Sequence, residues 1–154
     1  MSLPNIYFTQ ISNLSEARFA TSVMAQGIAF CLETEHPDHV DNLALNGFKD
    51  WLVGSDWIAA LSKEPNEYIR EIMDHFGFKL VLINSQLYKY TSGELVMKDD
   101  NKLKTLYALN TKEDFEKALA NQASDVLLFG TKEEEVGMAN MDRWLDYFEA
   151  LEIL

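Results

Sequence analysis

The stretch Pro65-Asn66-Glu67-Tyr68-Ile69-Arg70-Glu71-Ile72-Met73-Asp74-His75-Phe76-Gly77-Phe78-Lys79-Leu80-Val81-Leu82-Ile83 carries two periodicities joined across one glycine. Tyr68, Ile69, Ile72, Met73 and Phe76 recur at i, i+3, i+4 spacing and so line one face of a helix. Pro65 suits the first turn, where its missing N–H costs nothing. His75 complements the negative end of the helix dipole. Gly77 stops the helix. Residues 80–83 are four apolar residues in a row, short enough for a strand covered on both faces. A helix feeding a buried strand is half of a βαβ unit.

The unit repeats towards the N-terminus. Asn5-Ile6-Tyr7-Phe8-Thr9-Gln10-Ile11 is β-branched and aromatic, a strand. Ser12 or Asn13 can cap the next helix, with Glu16 in its first turn. Phe19, Val23 and the alanines continue it until Gly27. Residues 28–32 form a second apolar run. Residues 33–38 are polar, and Pro37 suits the start of a second helix carrying Val40, Leu43, Leu45 and Phe48. Residues 57–62 are a third strand. Towards the C-terminus the rhythm breaks. Residues 87–90 and 95–98 read as a β-hairpin around a four-residue loop. Residues 103–109 resume the strand series. Thr111 caps a helix to about Ala120, with Asp114 in a capping-box position. Residues 126–129 are a sixth strand, stopped by Gly130. Residues 138–151 carry Met141, Trp144, Leu145, Phe148 and Leu151 at helical spacing. Strand alternating with helix implies right-handed crossovers and a mainly parallel sheet.

Composition narrows the function. The 154 residues suit one domain, taken as 1–154. Thirteen basic residues face 25 acidic ones, a net charge of −12. That field repels phosphate backbones and anionic lipid, so neither nucleic acid nor a membrane is expected as partner. Cys31 is the one cysteine, which excludes an internal disulfide and a multi-cysteine zinc site. It sits in an apolar run and reads as a small core residue. No cationic-then-apolar leader and no apolar run near 18 residues is visible, so the expected location is the cytoplasm.

The order and wording of these segments resemble phosphoribosylanthranilate isomerase, a (β/α)8 enzyme of tryptophan biosynthesis. Tyr7-Phe8-Thr9-Gln10-Ile11-Ser12-Asn13 followed by Leu14-Ser15-Glu16-Ala17 is similar to the family's first strand and helix start, Lys-Ile-Cys-Gly-Ile-Thr-Asn then Glu-Asp-Ala. Met24-Ala25-Gln26-Gly27-Ile28-Ala29-Phe30-Cys31-Leu32 is similar to its second strand. Asp125-Val126-Leu127-Leu128-Phe129 looks like its Asp-Ala-Leu-Leu-Leu-Asp strand. The resemblance covers about residues 5–130. It implies an α/β fold: an incomplete TIM-barrel-like parallel sheet of about six βα strands plus an inserted β-hairpin. A complete eight-unit barrel usually takes ~250 residues and rarely fewer than ~200.

The departures bear on activity. The resemblance implies a cysteine as general base in the first strand; Thr9 stands there. A threonine hydroxyl without an activating partner is no proton acceptor near neutral pH. Gln10 replaces the following glycine. The implied general acid, an aspartate ending the sixth strand, is Phe129, and Asp125 lies at the strand's other end. Ser-Pro-Arg of the second βα loop becomes His36-Pro37-Asp38, and Gln-Leu-His-Gly of the fourth strand becomes Val81-Leu82-Ile83-Asn84. The last two strands, whose loops would hold the substrate phosphate, have no counterpart. Loss of a positioned acid or base costs about 10²–10⁴-fold each. The sequence therefore predicts a non-catalytic relative acting as a binding or self-association module. The alternative is an isomerase of the same or a related sugar phosphate with an altered site.

In α/β barrels function sits where strands end. Thr9, Gln10, Glu33, Asn84 and Asn110 are the candidate ligand-binding residues there, for a small neutral or sugar-like ligand. The competing reading is that they cap strand ends and turns. Glu33, Glu35, His36, Asp38 and His39 cluster but lack a metal-ligand spacing, so no metal is expected. No cofactor and no catalytic residue is assigned. A homodimer is expected, because a six-strand sheet would leave edges needing cover, which a second copy, or the hairpin and terminal helix of the same chain, could supply. Trp144, Tyr147 and Phe148 read most simply as core, and their density near the terminus suits an interface too.

Overall fold

Among the described residues seven strands close into a barrel, in the order β1-β2-β3-β4-β5-β6-β7. The computed structural model describes residues 5–9, 11, 14–35, 39–50, 52, 54–83, 93–99, 102–109, 112–121 and 125–129. The elements are β1 (Asn5–Thr9), α1 (Leu14–Ser22), β2 (Gly27–Cys31), α2 (Asn42–Lys49), β3 (Asp56–Leu61), α3 (Glu67–Phe76), β4 (Leu80–Ile83), β5 (Gly93–Asp99), β6 (Lys102–Leu109), α4 (Lys112–Ala120) and β7 (Asp125–Phe129). Six strands run parallel, as the alternation predicts, and only β5 runs the other way among the described strands.

The barrel is incomplete in the sense expected, with fewer strands than eight βα units, and the sequence left open whether those strands close; they do. β5 bridges the gap, antiparallel to β4 on one side and to β6 on the other. The hairpin observed is therefore β5 with β6, where Asp99 pairs with Lys102. The arm expected at 87–90 lies outside the described residues, as does the helix expected at 138–151. A closed barrel has no free edge, which removes the edge-covering reason for a dimer.

The strand register gives the barrel's geometry. In one direction Tyr7 is level with Leu127 and so with Ala108. In the other, Thr9 is level with Ala29, Ile58, Leu80, Asp99 and so with Lys102. Ala108 and Lys102 are six residues apart, and Tyr7 and Thr9 two, so the circuit closes with an offset of eight residues. With strands roughly 4.8 Å apart and a rise of about 3.3 Å per residue, seven strands at that offset tilt by roughly 38°. The same geometry gives a radius of about 7 Å, narrower than the roughly 7.6 Å of eight strands at equal offset.

The narrow interior selects small side chains. Ala29, Ala60 and Ala108 alternate there with Tyr7, Ile58, Leu80, Leu82, Met97, Leu106 and Leu127. Gly27 belongs to this interior. A Cβ on it would lie 2.8 Å from Tyr7 Cδ1 and 2.9 Å from Ile58 Cδ1. Gly27 is thus not the stop of α1. The chain turns earlier, where Met24 adopts φ 58° and the Ala25 N–H donates to the Ala20 carbonyl.

A second core fills the space between sheet and helices. Ile6, Phe8, Ile28, Phe30, Val126 and Leu128 point outward into it, against Ala17, Leu45, Phe48, Ile69 and Ile72 of the helices. Phe30 stacks on Phe48 with ring centroids 5.3 Å apart. Val81 and Ile83, expected to be covered on both faces, are half-buried on this outer side. Two helix starts differ from the sequence reading. α2 begins at Asn42 with Asp41 as cap, its carboxylate accepting from the Ala44 N–H at 2.9 Å. α3 begins at Glu67, capped by Asn66 accepting from the Ile69 N–H at 2.8 Å. Side-chain capping of the first turn outweighs the proline preference at both. Gly77 ends α3 at φ 78°, as expected.

Candidate functional site

The upper mouth of the barrel is where the parallel strands end, and two of the five candidate residues are described there. Thr9 closes β1 on the inward side, fully buried. Its Oγ1 has no hydrogen-bond partner among the described residues. A buried hydroxyl left unpaired costs about 1–3 kcal/mol, so the position is one a bound polar group would satisfy. Register pairs Thr9 with Phe129, the two positions at which the resemblance implies a base and an acid.

Glu33 follows β2 and is 2% exposed. Its carboxylate is held by the residue after β3. Oε1 accepts from the Ser62 N–H at 2.9 Å and Oε2 from the Ser62 hydroxyl at 2.9 Å. Such bonds to a charged acceptor are roughly twice as strong as neutral ones, which is what a buried carboxylate requires. The pair staples the β2 and β3 loops across the mouth. Cys31 is buried beside it, its thiol donating to the Glu33 carbonyl at 3.9 Å. The chain is drawn back here, since the Val40 N–H donates to the Cys31 carbonyl at 2.9 Å. Gln10, Asn84 and Asn110 lie outside the described residues, as do 36–38 of the acidic loop. Among the described residues no group of His, Cys, Asp and Glu could hold a metal ion. Among them, too, no helix is long and apolar enough to cross a membrane.

The opposite mouth holds a polar network that the sequence reading did not single out. Lys104 of β6 donates to the Tyr7 hydroxyl at 3.0 Å and pairs with Asp125 at 3.0 Å. Asn5 Nδ2 donates to the same Asp125 oxygen at 3.1 Å. Asp125 thus sits at the far end of β7 from the upper mouth, as its sequence position required. Burial raises the Tyr7 phenol above its ordinary value, so it stays protonated. The hydrogen bond to Tyr7 raises the Lys104 ammonium despite partial desolvation, so it stays charged. The signal for this network was period-2 alternation. Tyr7 and Lys104 share their strands' inward parity with Thr9 and Leu106, but a lysine in a strand reads by default as solvent-facing.

No protein-family model matches the chain, and no curated protein matches it. Among solved structures it is similar to phosphoribosyl anthranilate isomerase from Thermotoga maritima, with 16% identity over 96% of this chain and 73% of the other, at a TM-score of 0.48. It is similar to mutually generated monomers of the dimeric isomerase from T. maritima, with 14% identity over 92% and 72%, at 0.46. It is also similar to a phosphoribosyl anthranilate isomerase in complex with reduced 1-(o-carboxyphenylamino)-1-deoxyribulose 5-phosphate, with 15% identity over 92% and 72%, at 0.46. The barrel topology rests on the strand register of this chain itself.

Proposed function

We propose that this chain is a non-catalytic relative of phosphoribosylanthranilate isomerase that holds a small sugar-like ligand at the upper mouth of its barrel. The observation that carries it is Thr9: a buried hydroxyl, without a partner among the described residues, at the position where the resemblance calls for a thiol base. A hydroxyl there can donate to or accept from a ligand oxygen but has no described group to take its proton. Glu33 supports the same reading, because both of its oxygens already accept from Ser62. A buried carboxylate at a strand end also favours a second reading, an isomerase with an altered site that uses Glu33 as base. Self-association is part of the proposal, resting on the apolar spacing of 138–151 rather than on sheet edges.

The deciding experiment is complementation. Expression in a tryptophan auxotroph lacking the isomerase is expected to give no growth, while the purified protein shows saturable NMR shifts with a pentose panel, centred on Thr9. Growth on minimal medium would overturn the non-catalytic reading. Absence of saturable shifts would overturn the ligand site.

A further inference from the structure

The lower mouth opens into a cavity of about 350 Å³ lined by Tyr7, Gln26, Asp56, Leu80, Met97, Leu103 and Lys104. That volume is within the range of small-molecule sites, roughly 300–1,000 Å³. The upper-mouth site does not use any of these residues.

The lining divides by chemistry. One wall donates. Lys104 has three N–H groups and, among the described residues, spends two, on Tyr7 and Asp125. Tyr7 accepts from Lys104, and its own hydroxyl proton has no acceptor among the described residues. Among the described residues two donors are therefore left over, side by side. The facing wall accepts. Asp56 is exposed, without an ion pair among the described residues, and close enough for its charge to act on the Tyr7 phenol. Gln26 lines the same cavity, and its main-chain carbonyl accepts from the Asp56 N–H at 3.0 Å. The remaining lining is apolar, and Leu103 is 71% exposed although it lies beside Lys104.

Charge narrows the ligand. The Lys104 charge is already balanced by Asp125, and Asp56 adds a negative charge, so a phosphate or other dianion is repelled. A simple cation meets the Lys104 ammonium. A molecule carrying both signs at short separation meets neither objection. We infer that the lower mouth is a binding site for a free amino acid with an apolar side chain. Its carboxylate takes the Lys104 and Tyr7 donors left over, its ammonium sits against the Asp56 carboxylate, and its side chain covers Leu80, Met97 and Leu103.

The test uses three probes of one shape: L-leucine, 4-methylpentanoate, which lacks the amine, and 3-methylbutylamine, which lacks the carboxylate. Titration of the whole chain, followed by calorimetry and amide NMR, is expected to give 1:1 leucine binding with shifts at the lower mouth. Each analogue should bind at least ~10-fold more weakly, the usual cost of losing a charge-assisted hydrogen bond. Lys104→Met should abolish the site. Because that change also breaks the Asp125 pair, Asp56→Asn provides the surface variant that keeps the fold. It should weaken leucine about 10-fold and erase the preference for leucine over 4-methylpentanoate. No saturation by millimolar leucine, equal affinity for the three probes, or unchanged leucine binding in Asp56→Asn overturns the assignment.

Discussion

Gly27→Ala tests the barrel geometry directly. The added Cβ would sit 2.8 Å from Tyr7 Cδ1, 3.0 Å from Tyr7 Cε1 and 2.9 Å from Ile58 Cδ1. Carbon atoms rest comfortably at about 3.5–4.0 Å, so each contact is short by roughly 0.5–1 Å. The Tyr7 ring has little room to retreat, because its hydroxyl is tied to Lys104 of β6, two strands away around the barrel. Overpacking of this kind costs about 1–3 kcal/mol. Removing a glycine from the unfolded chain returns about 0.4–1 kcal/mol. The net expectation from these two effects is a loss of about 1–2 kcal/mol. At a urea slope of about 2 kcal/mol per molar, the midpoint should fall by roughly 0.5–1 M. A second change separates steric crowding from a general weakness of the site. Ile58→Val deletes the Cδ1 atom that the new methyl would strike and alone costs about 0.5–1.5 kcal/mol. In the double variant the losses should fall short of the sum by at least ~0.5 kcal/mol, since one relieves the other. A midpoint unchanged in Gly27→Ala, or strict additivity in the pair, would refute the narrow-barrel account.

Three other outcomes follow from the geometry. Thr9→Val removes the unpaired hydroxyl with little change of shape, so the ligand-free protein should be as stable as the parent or more so, by up to ~1 kcal/mol in urea unfolding; a loss above that would mean the hydroxyl is satisfied. Tyr7 and Lys104 both have folded-state pKa values above their ordinary ones, so both bind protons more tightly when folded. Their contribution is complete below about pH 10 and is lost as pH rises through the folded values. Melting temperature should therefore drop above about pH 10, and less steeply in Tyr7→Phe; identical alkaline slopes would count against the network. Glu33→Gln keeps the shape but removes the charge that Ser62 holds, and a loss of about 1–3 kcal/mol in thermal unfolding is expected, where no change would show the staple to be idle.

Local chemistry made the alternation readable. Buried parallel strands such as 126–129 are continuous apolar runs, and α3 shows its buried face at every turn. The role of β5 was not readable, because residues 95–98 alternate in the same way whichever strand they pair with. Its polarity and its place in the wall are decided by closure. Gly27 shows the same limit: after a helix pattern it reads as a stop, but its reason is Tyr7, twenty positions earlier in the chain. Thr9 was legible as a strand-end residue because strand ends are set locally. The Glu33–Ser62 staple spans 29 positions and the Lys104–Tyr7 bond 97, and no local signal reports such partners.

The pairing of β1 with β7 carries a consequence for how the barrel assembles. Asn5 and Asp125, bonded across it, are 120 positions apart, whereas β5 and β6 meet across two residues. Loop-closure entropy favours the short loop, so the hairpin forms early and the β1–β7 seam last. During synthesis the first strand leaves the ribosome with half of its backbone groups waiting for the seventh. Until then it offers an unpaired edge to any neighbouring nascent chain.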